Sequence, residues 1–243
     1  MVIRLLTWNL QGSKGVDVEA VVATISAQSA DVVVLQEVQR VQARRLARRL
    51  ALRHVRWTFK HWPVVSRAEG MAIMTKHPAA AFRSYVVGRA AWWSWRRRVA
   101  LEADIDVDGH RRTVVCVHLS PHGAAVRRSR EIEVVQRRSR WRVPVLAGDF
   151  NDEPSGPARA ALLAGGWRDA WTDRHGAADG ATNWTLGERA GRLPTQRLDY
   201  VFVPAQWSVA ECRVIDAPLD ALAKLSDHLP VLAVVDPPGG GDD

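Results

Sequence analysis

The chain has 243 residues, 47% of them hydrophobic and 25% charged, with two cysteines, Cys116 and Cys212; that composition supports a sizeable core and excludes a disordered tail or a disulfide-stapled miniprotein. Basic residues outnumber acidic ones by 34 to 26, a formal charge of +8, which raises phosphate-bearing partners without choosing between nucleic acid and lipid. No run reaches the roughly 20 apolar residues of a bilayer span, and the first residues lack a signal-peptide core, so the chain reads as soluble and cytoplasmic.

In chain order, Val2–Trp8 predicts a strand, Asp17–Ser29 a helix and Asp31–Leu35 a second strand. Gln39–Leu52 places Ala43, Leu46, Ala47 and Leu50 at helical spacing with arginines between them, a helix with a solvated basic face. Met71–Thr75 follows as a strand. Leu101–Val107 and Thr113–Leu119 flank Asp108-Gly109, a hairpin step. A helix over Ala124–Arg140, a strand over Val143–Ala147, a helix over Pro157–Leu163 and strands over Leu198–Val203 and Leu229–Val235 complete the pattern. Helices separate some strands and a hairpin joins others, so the sheets should be mixed. No linker divides the chain: one domain is expected over residues 1–236, with a flexible Pro/Gly tail over 237–243.

Polar residues sit where the apolar runs stop. Val2–Trp8 ends at Asn9, Asp31–Leu35 at Gln36-Glu37, Thr113–Val117 at His118, and Val143–Ala147 at Gly148-Asp149-Phe150-Asn151. The carboxyl ends of parallel strands form the crevice in which such folds bind ligands. Asp199 instead begins its strand, and Asp227-His228 precede theirs; if those two strands run antiparallel to the first group, all these side chains share one rim. Singly, each has an ordinary structural explanation: Asp149 can cap a turn, Asn9 can satisfy a loop, His118 can be a hydrogen-bonded core histidine. Six apolar runs bordered by carboxylate, amide or imidazole groups are a costly way to close a core, and together they point to a site of oxygen ligands and imidazoles.

Thr7-Trp8-Asn9-Leu10-Gln11-Gly12, Leu35-Gln36-Glu37-Val38, Glu69-Gly70-Met71-Ala72-Ile73-Met74, Val117-His118-Leu119, Gly148-Asp149-Phe150-Asn151, Arg197-Leu198-Asp199-Tyr200-Val201-Phe202 and Ser226-Asp227-His228-Leu229-Pro230-Val231 occur in that order. Together they resemble the endonuclease/exonuclease/phosphatase superfamily. The resemblance implies an α/β (α+β) four-layer sandwich, two mixed β-sheets face to face with helices outside and the site at one end. It also implies metal-dependent phosphoester hydrolysis. Glu37 is similar to the family's principal metal carboxylate, with Asn9 and Asp227 beside it, and such oxygen ligands suit Mg2+ or Mn2+. Asp149 resembles the residue that orients or deprotonates the attacking water, and Asn151 the amide that holds a phosphate oxygen or that nucleophile. Asp199 would hold His228 in one tautomer and favour its protonated form. His118 would pair with Glu69 and donate a hydrogen bond or proton near the leaving group; Asp149 and His118 can exchange roles.

The motifs leave the phosphoester open among DNA, RNA, phosphoinositide-like lipids and small organophosphates. Ala91-Trp92-Trp93-Ser94-Trp95-Arg96-Arg97-Arg98 and the cluster Trp57, Phe59, Lys60, His61, Trp62 mix aromatic and basic side chains, suited to stacking on bases while holding a phosphate backbone. In a strand, Trp93 and Trp95 would instead bury one face; exposed, they could meet a membrane surface. Substrate contacts are expected from Asn9, Asn151, Arg197, Trp93 and Trp95. Net charge favours a nuclease over a lipid phosphodiesterase or phosphatase. Asn9-Leu10-Gln11 lacks the acidic residue that the abasic-site repair branch carries after its asparagine, and a non-catalytic scaffold would show eroded site positions, which are intact here.

Overall fold

The computed structural model describes residues 2–59, 69–89, 97–121, 123–139, 143–184, 189, 191–216 and 218–238. Its elements run β1 (Ile3–Asn9), α1 (Val18–Ser26), β2 (Val32–Val38), α2 (Arg40–Arg49), β3 (His54–Phe59), β4 (Gly70–Thr75), β5 (Ala79–Arg89), β6 (Arg97–Val107) and β7 (His110–His118). There follow α3 (Ala125–Ser139), β8 (Val145–Asp149), α4 (Pro157–Ala164), β9 (Trp167–Asp169), α5 (Ala170–His175), β10 (Asp199–Pro204), β11 (Ser208–Val214), α6 (Leu219–Leu225) and β12 (Val231–Asp236). Among the described residues these strands form two six-stranded sheets, ordered β11-β12-β1-β2-β4-β3 and β5-β6-β7-β8-β10-β9.

Each sheet holds one parallel pair, β1 with β2 and β7 with β8, and its other neighbours are antiparallel. A parallel pair needs a crossover, supplied by α1 in the first sheet and α3 in the second. Asp17 caps α1 by accepting from the Ala20 amide at 3.1 Å, and Pro157 opens α4 at a position where its missing N–H costs nothing.

Alternation along the strands builds four layers. Leu5, Val32, Val34 and Ile73 of the first sheet meet Leu101, Val114, Cys116, Ala147 and Val201 of the second in a central core. Leu6, Val33, Leu35 and Met74 turn outward onto α1, α2 and α6 through Val21, Ile25, Leu46 and Leu222. On the far side, Val115, Val117, Leu146 and Phe202 pack on α3 and α4 through Ile132, Val135, Ala158 and Leu162. Strands covered on both faces read as continuous apolar runs, which is why the sequence announces them. The α/β four-layer sandwich expected from the resemblance is the observed architecture.

Every predicted strand and helix is present, with ends displaced by a few residues. Unpredicted are β3, β5, β9 and β11, together with the short helices α5 and α6. Residues 90–96, which include Trp93 and Trp95, lie outside the described residues, as do 239–243 of the expected tail; Pro238 O accepts from Arg112 Nη2 at 3.1 Å. No helix among the described residues is long and apolar enough to cross a membrane.

Cys116 and Cys212 are free and buried, and burial pushes both thiols up to about 12. Since the thiolate is the reactive form, a thiol-titrating disulfide reagent is expected to label neither cysteine in native protein and both in denaturant; fast native labelling would contradict this packing.

Candidate active site

Strand polarity gathers the site. Asn9 and Gln36 are paired at the ends of the parallel β1 and β2, and His118 and Asp149 at the ends of β7 and β8. Because β10 runs antiparallel to β8, its first residue, Asp199, falls opposite Asp149. His228 lies just before β12, which runs antiparallel to β1. The reversed strands therefore do present their starting ends to the common rim. Here lies a pocket of about 200 Å³ lined by Asn9, Gln11, Glu37, Arg98, His118, Pro121, Asp149, Asn151, Asp227 and His228.

Local backbone geometry aims several of these groups. The pairing of β2 with β4 slips between Gln36 and Val38, and Glu37 in that bulge has φ 51°. Asn151 has φ 49°. Non-glycine residues held in the left-handed region cost about 1–3 kcal/mol each and cluster at functional sites. Gly148 has φ 146°, and a Cβ on it would lie 2.0 Å from the Val117 carbonyl oxygen. Only glycine lets β8 approach β7 so closely, one residue before Asp149 faces His118.

Asp149 is the hub. It is 1% exposed; its Oδ1 accepts from the Asn151 amide at 2.8 Å and its Oδ2 from Asn9 Nδ2 at 3.0 Å. His118 Nε2 stands 3.4 Å and His228 Nε2 3.9 Å from the same Oδ2. Burial raises its carboxyl to about 6 against the opposing pull of His228, with Asp199 reinforcing the rise. Asn151 Nδ2 donates to Leu119 O at 3.1 Å, tying the loop after β8 to the end of β7.

His228 donates from Nδ1 to Asp199 Oδ2 at 2.7 Å. Burial alone would lower the imidazole's pKa, but Asp199 and Asp149 outweigh it and hold the ring as a cation, raised to about 10. Asp199 is fixed in turn by Thr182, whose hydroxyl donates to Oδ2 at 2.7 Å while accepting from the Leu198 and Asp199 amides. Ser226 Oγ accepts from the His228 amide and donates to Asn9 O, and Trp8 Nε1 donates to His228 O. Both ends of the histidine are thereby clamped.

Asp149, Asp199 and His228 also form a group whose candidate ligand atoms lie within 4.8 Å of one another. Within it Asp199 Oδ2 accepts hydrogen bonds from Thr182 and His228, while Asp199 Oδ1 is buried without a hydrogen-bond partner. Glu37, Asn9 and Asp227 border the same pocket, and Gln11 bridges two of them: its amide donates to Asn9 Oδ1 at 3.2 Å and its Nε2 to Asp227 Oδ2. Asp227 Oδ1 is buried without a hydrogen-bond partner. A buried carboxylate oxygen left unpaired is unfavourable unless a cation or donor meets it, so the donor set fits a hard divalent ion.

Two expectations need correction. Arg197 does not line the pocket: it is 6% exposed, holds Asp169 through Nη2 at 2.9 Å and Nη1 at 3.2 Å, and stacks 4.6 Å over the Tyr200 ring. Its guanidinium ties the segment entering β10 to Asp169 at the end of β9. Glu69 Oε1 accepts from the Ser13 amide at 2.7 Å, and His118 Nε2 instead faces Asp149 and, at 3.9 Å, Glu37. Gln11 and Ser226 stood inside the quoted motifs without a role assigned. Arg98, the last residue of the aromatic and basic segment Ala91–Arg98, lines the pocket and donates to His118 O at 3.4 Å, whereas Thr182, in an irregular segment before β10, carries no periodic signal at all.

Residues 6–228 match the Endonuclease/Exonuclease/phosphatase family. The fold is similar to that of an endonuclease/exonuclease/phosphatase from Beutenbergia cavernae, at 26% identity and a TM-score of 0.77 over 100% of this chain and 73% of that one. A family protein from Leptotrichia buccalis (20% identity, TM-score 0.77, 96% and 99% covered) and a mannosyl-6-phosphatase from Bacteroides thetaiotaomicron (15%, 0.74, 96% and 99%) share the fold. No curated protein matches the sequence.

Proposed function

This chain belongs to the Endonuclease/Exonuclease/phosphatase family of phosphoester-hydrolysing enzymes, and from that premise we propose that it is a divalent-metal-dependent phosphodiesterase cleaving DNA or RNA. The observation that carries the chemistry is the buried pairing of the cationic His228, held by Asp199, with the Asp149 carboxylate 3.9 Å from its Nε2. One polar pocket thus offers a proton acceptor and a fixed positive charge on adjacent walls.

Hydrolysis of a phosphodiester needs an aligned water, neutralised phosphoryl oxygens and a proton for the leaving oxygen. Asp149 Oδ2 orients the water and takes its proton as the oxygen–phosphorus bond forms; the raised carboxyl makes it a better base than an ordinary aspartate. The imidazolium of His228 faces the charge growing on the phosphoryl oxygens. The Asn151 side chain sits beside them as a neutral donor that adds no repulsion. In this reading His118, whose Nε2 stands 3.4 Å from Asp149 Oδ2, protonates the leaving oxygen. Glu37, Asp227 and Asn9 would hold Mg2+ or Mn2+, which when bound supplies Lewis-acid neutralisation of the phosphate.

The +8 charge supports nucleic acid as the phosphodiester. The test is a substrate panel of plasmid, single-stranded DNA, RNA, a phosphoinositide, a sugar phosphate monoester and bis(p-nitrophenyl) phosphate, with and without chelator. We expect nucleic-acid cleavage that EDTA abolishes and Mg2+ or Mn2+ restores. Turnover confined to the phosphoinositide, or release of inorganic phosphate from the monoester alone, would overturn the nuclease reading.

A further inference from the structure

Two cavities outside the pocket run together between α2 and β3. One, of about 330 Å³, is lined by Arg40, Arg44, Arg56 and the aromatic pair Trp57 and Phe59. The other, of about 410 Å³, is lined by Arg44, Arg48, Arg53 and Leu52, and the two share Arg44 and Val55. Neither has an aspartate or glutamate among its described lining residues. Of the α2 arginines, Arg49 pairs with Glu19; Arg40, Arg44 and Arg48, exposed and four residues apart, have no carboxylate partner among the described residues. Like charges at that spacing repel, so the helix face is built at a cost that a bound anion would offset.

We propose that this groove binds the phosphate backbone of a single-stranded nucleic acid and leads it toward the pocket. Four residues of helix advance about 6 Å, so Arg40, Arg44 and Arg48 form a linear array, which suits a linear polyanion. One end of the groove lies near Glu37 of the pocket: Arg40 follows Glu37 by three residues, and Trp57 Nε1 donates at 2.8 Å to Val38 O, next to Glu37. Trp57 and Phe59 pack edge to face at 4.5 Å and are half-buried in the groove wall, where a base can stack on a ring without either side chain protruding. A membrane-seeking surface would need protruding apolar groups on a convex face; this surface is concave and its rings are recessed. The direction of travel rests on the phosphodiesterase reading of the pocket, whereas the affinity does not.

The test separates the two by measuring binding in EDTA, where no turnover is expected. The probe is a fluorescein-labelled oligothymidylate of about 12 nucleotides, followed by anisotropy across a salt series. Substituting Arg44→Ala, Arg48→Ala and Arg53→Ala together should weaken binding tenfold or more and flatten the log–log salt slope by roughly 2, about 0.7 for each phosphate contact on a single strand. The control Arg111→Ala, Arg130→Ala, Arg137→Ala removes the same charge from exposed positions elsewhere and should change affinity far less. If the first variant melts early, Arg44→Gln with Arg48→Gln removes the charge while keeping an unbranched, polar, helix-compatible side chain and is read the same way. No binding by the wild type, or equal weakening by the control, overturns the proposal. So does an unchanged oligonucleotide affinity in the groove variant, including the case where it loses only binding to phosphatidylserine vesicles. If the oligonucleotide binds as expected but chelator-sensitive cleavage is absent, the groove stands and the phosphodiesterase reading falls.

Discussion

Asp199→Asn is expected to lower kcat for nucleic-acid cleavage by roughly 10³- to 10⁴-fold, with the far-UV circular dichroism unchanged. The substitution is nearly isosteric, and an amide oxygen in the position of Oδ2 can still accept from Thr182 and from His228 Nδ1. What disappears is the charge. Burial disfavours the imidazolium, and Asp199 is the largest of the influences that overcome it. Without it the ring's pKa falls, and the phosphoryl oxygens face a weaker positive charge at the moment their own charge grows. His228→Ala removes the same cation outright and should cost a similar factor. Because the two residues act as one unit, the double variant should be little worse than either alone. A purified Asp199→Asn protein with near-normal kcat would remove the dyad from the mechanism.

The contrast between strands that the sequence reveals and those it hides has a physical basis. The eight predicted strands occupy the interiors of the two sheets, and β3, β5, β9 and β11 are the four edges. An interior strand here is covered on both faces, so most of its positions select for apolar side chains. An edge strand such as β5 is half-exposed along most of its length, and its Ala79-Ala80-Ala81 start carries no β-branched signal; pairing with β6 decides it. The site follows the same logic. Asn9, Glu37, His118, Asp149, Asp199 and His228 stood out because each interrupts or borders an apolar run. Thr182 lies in a segment with no period to interrupt, so nothing local marks the hydroxyl that fixes Asp199. Arg197 misled for the opposite reason: it lies two residues before Asp199, but it precedes β10 and its guanidinium is held by Asp169.

Asp149→Asn should lower kcat and kcat/KM together, by roughly 10²- to 10⁴-fold, and leave oligonucleotide affinity within a few-fold of wild type. The carboxylate now accepts on both oxygens, from the Asn151 amide and from Asn9 Nδ2. An asparagine has one oxygen and one NH2. If its oxygen keeps the Asn151 bond, its NH2 confronts the NH2 of Asn9; if it turns over, the Asn151 amide is left without its acceptor. Either way the oxygen that faces His118 and His228, and receives the water's proton, is gone or misplaced. The loss should be confined to the transition state, since the groove arginines proposed to hold the substrate line cavities between α2 and β3, apart from Asp149. The two sets of variants are therefore distinguishable in one kinetic experiment: the Arg44, Arg48, Arg53 substitutions should raise KM for long single strands, and Asp149→Asn should not. Turnover by Asp149→Asn within tenfold of wild type would show that another group accepts the proton, with His118, 3.4 Å away, the next candidate.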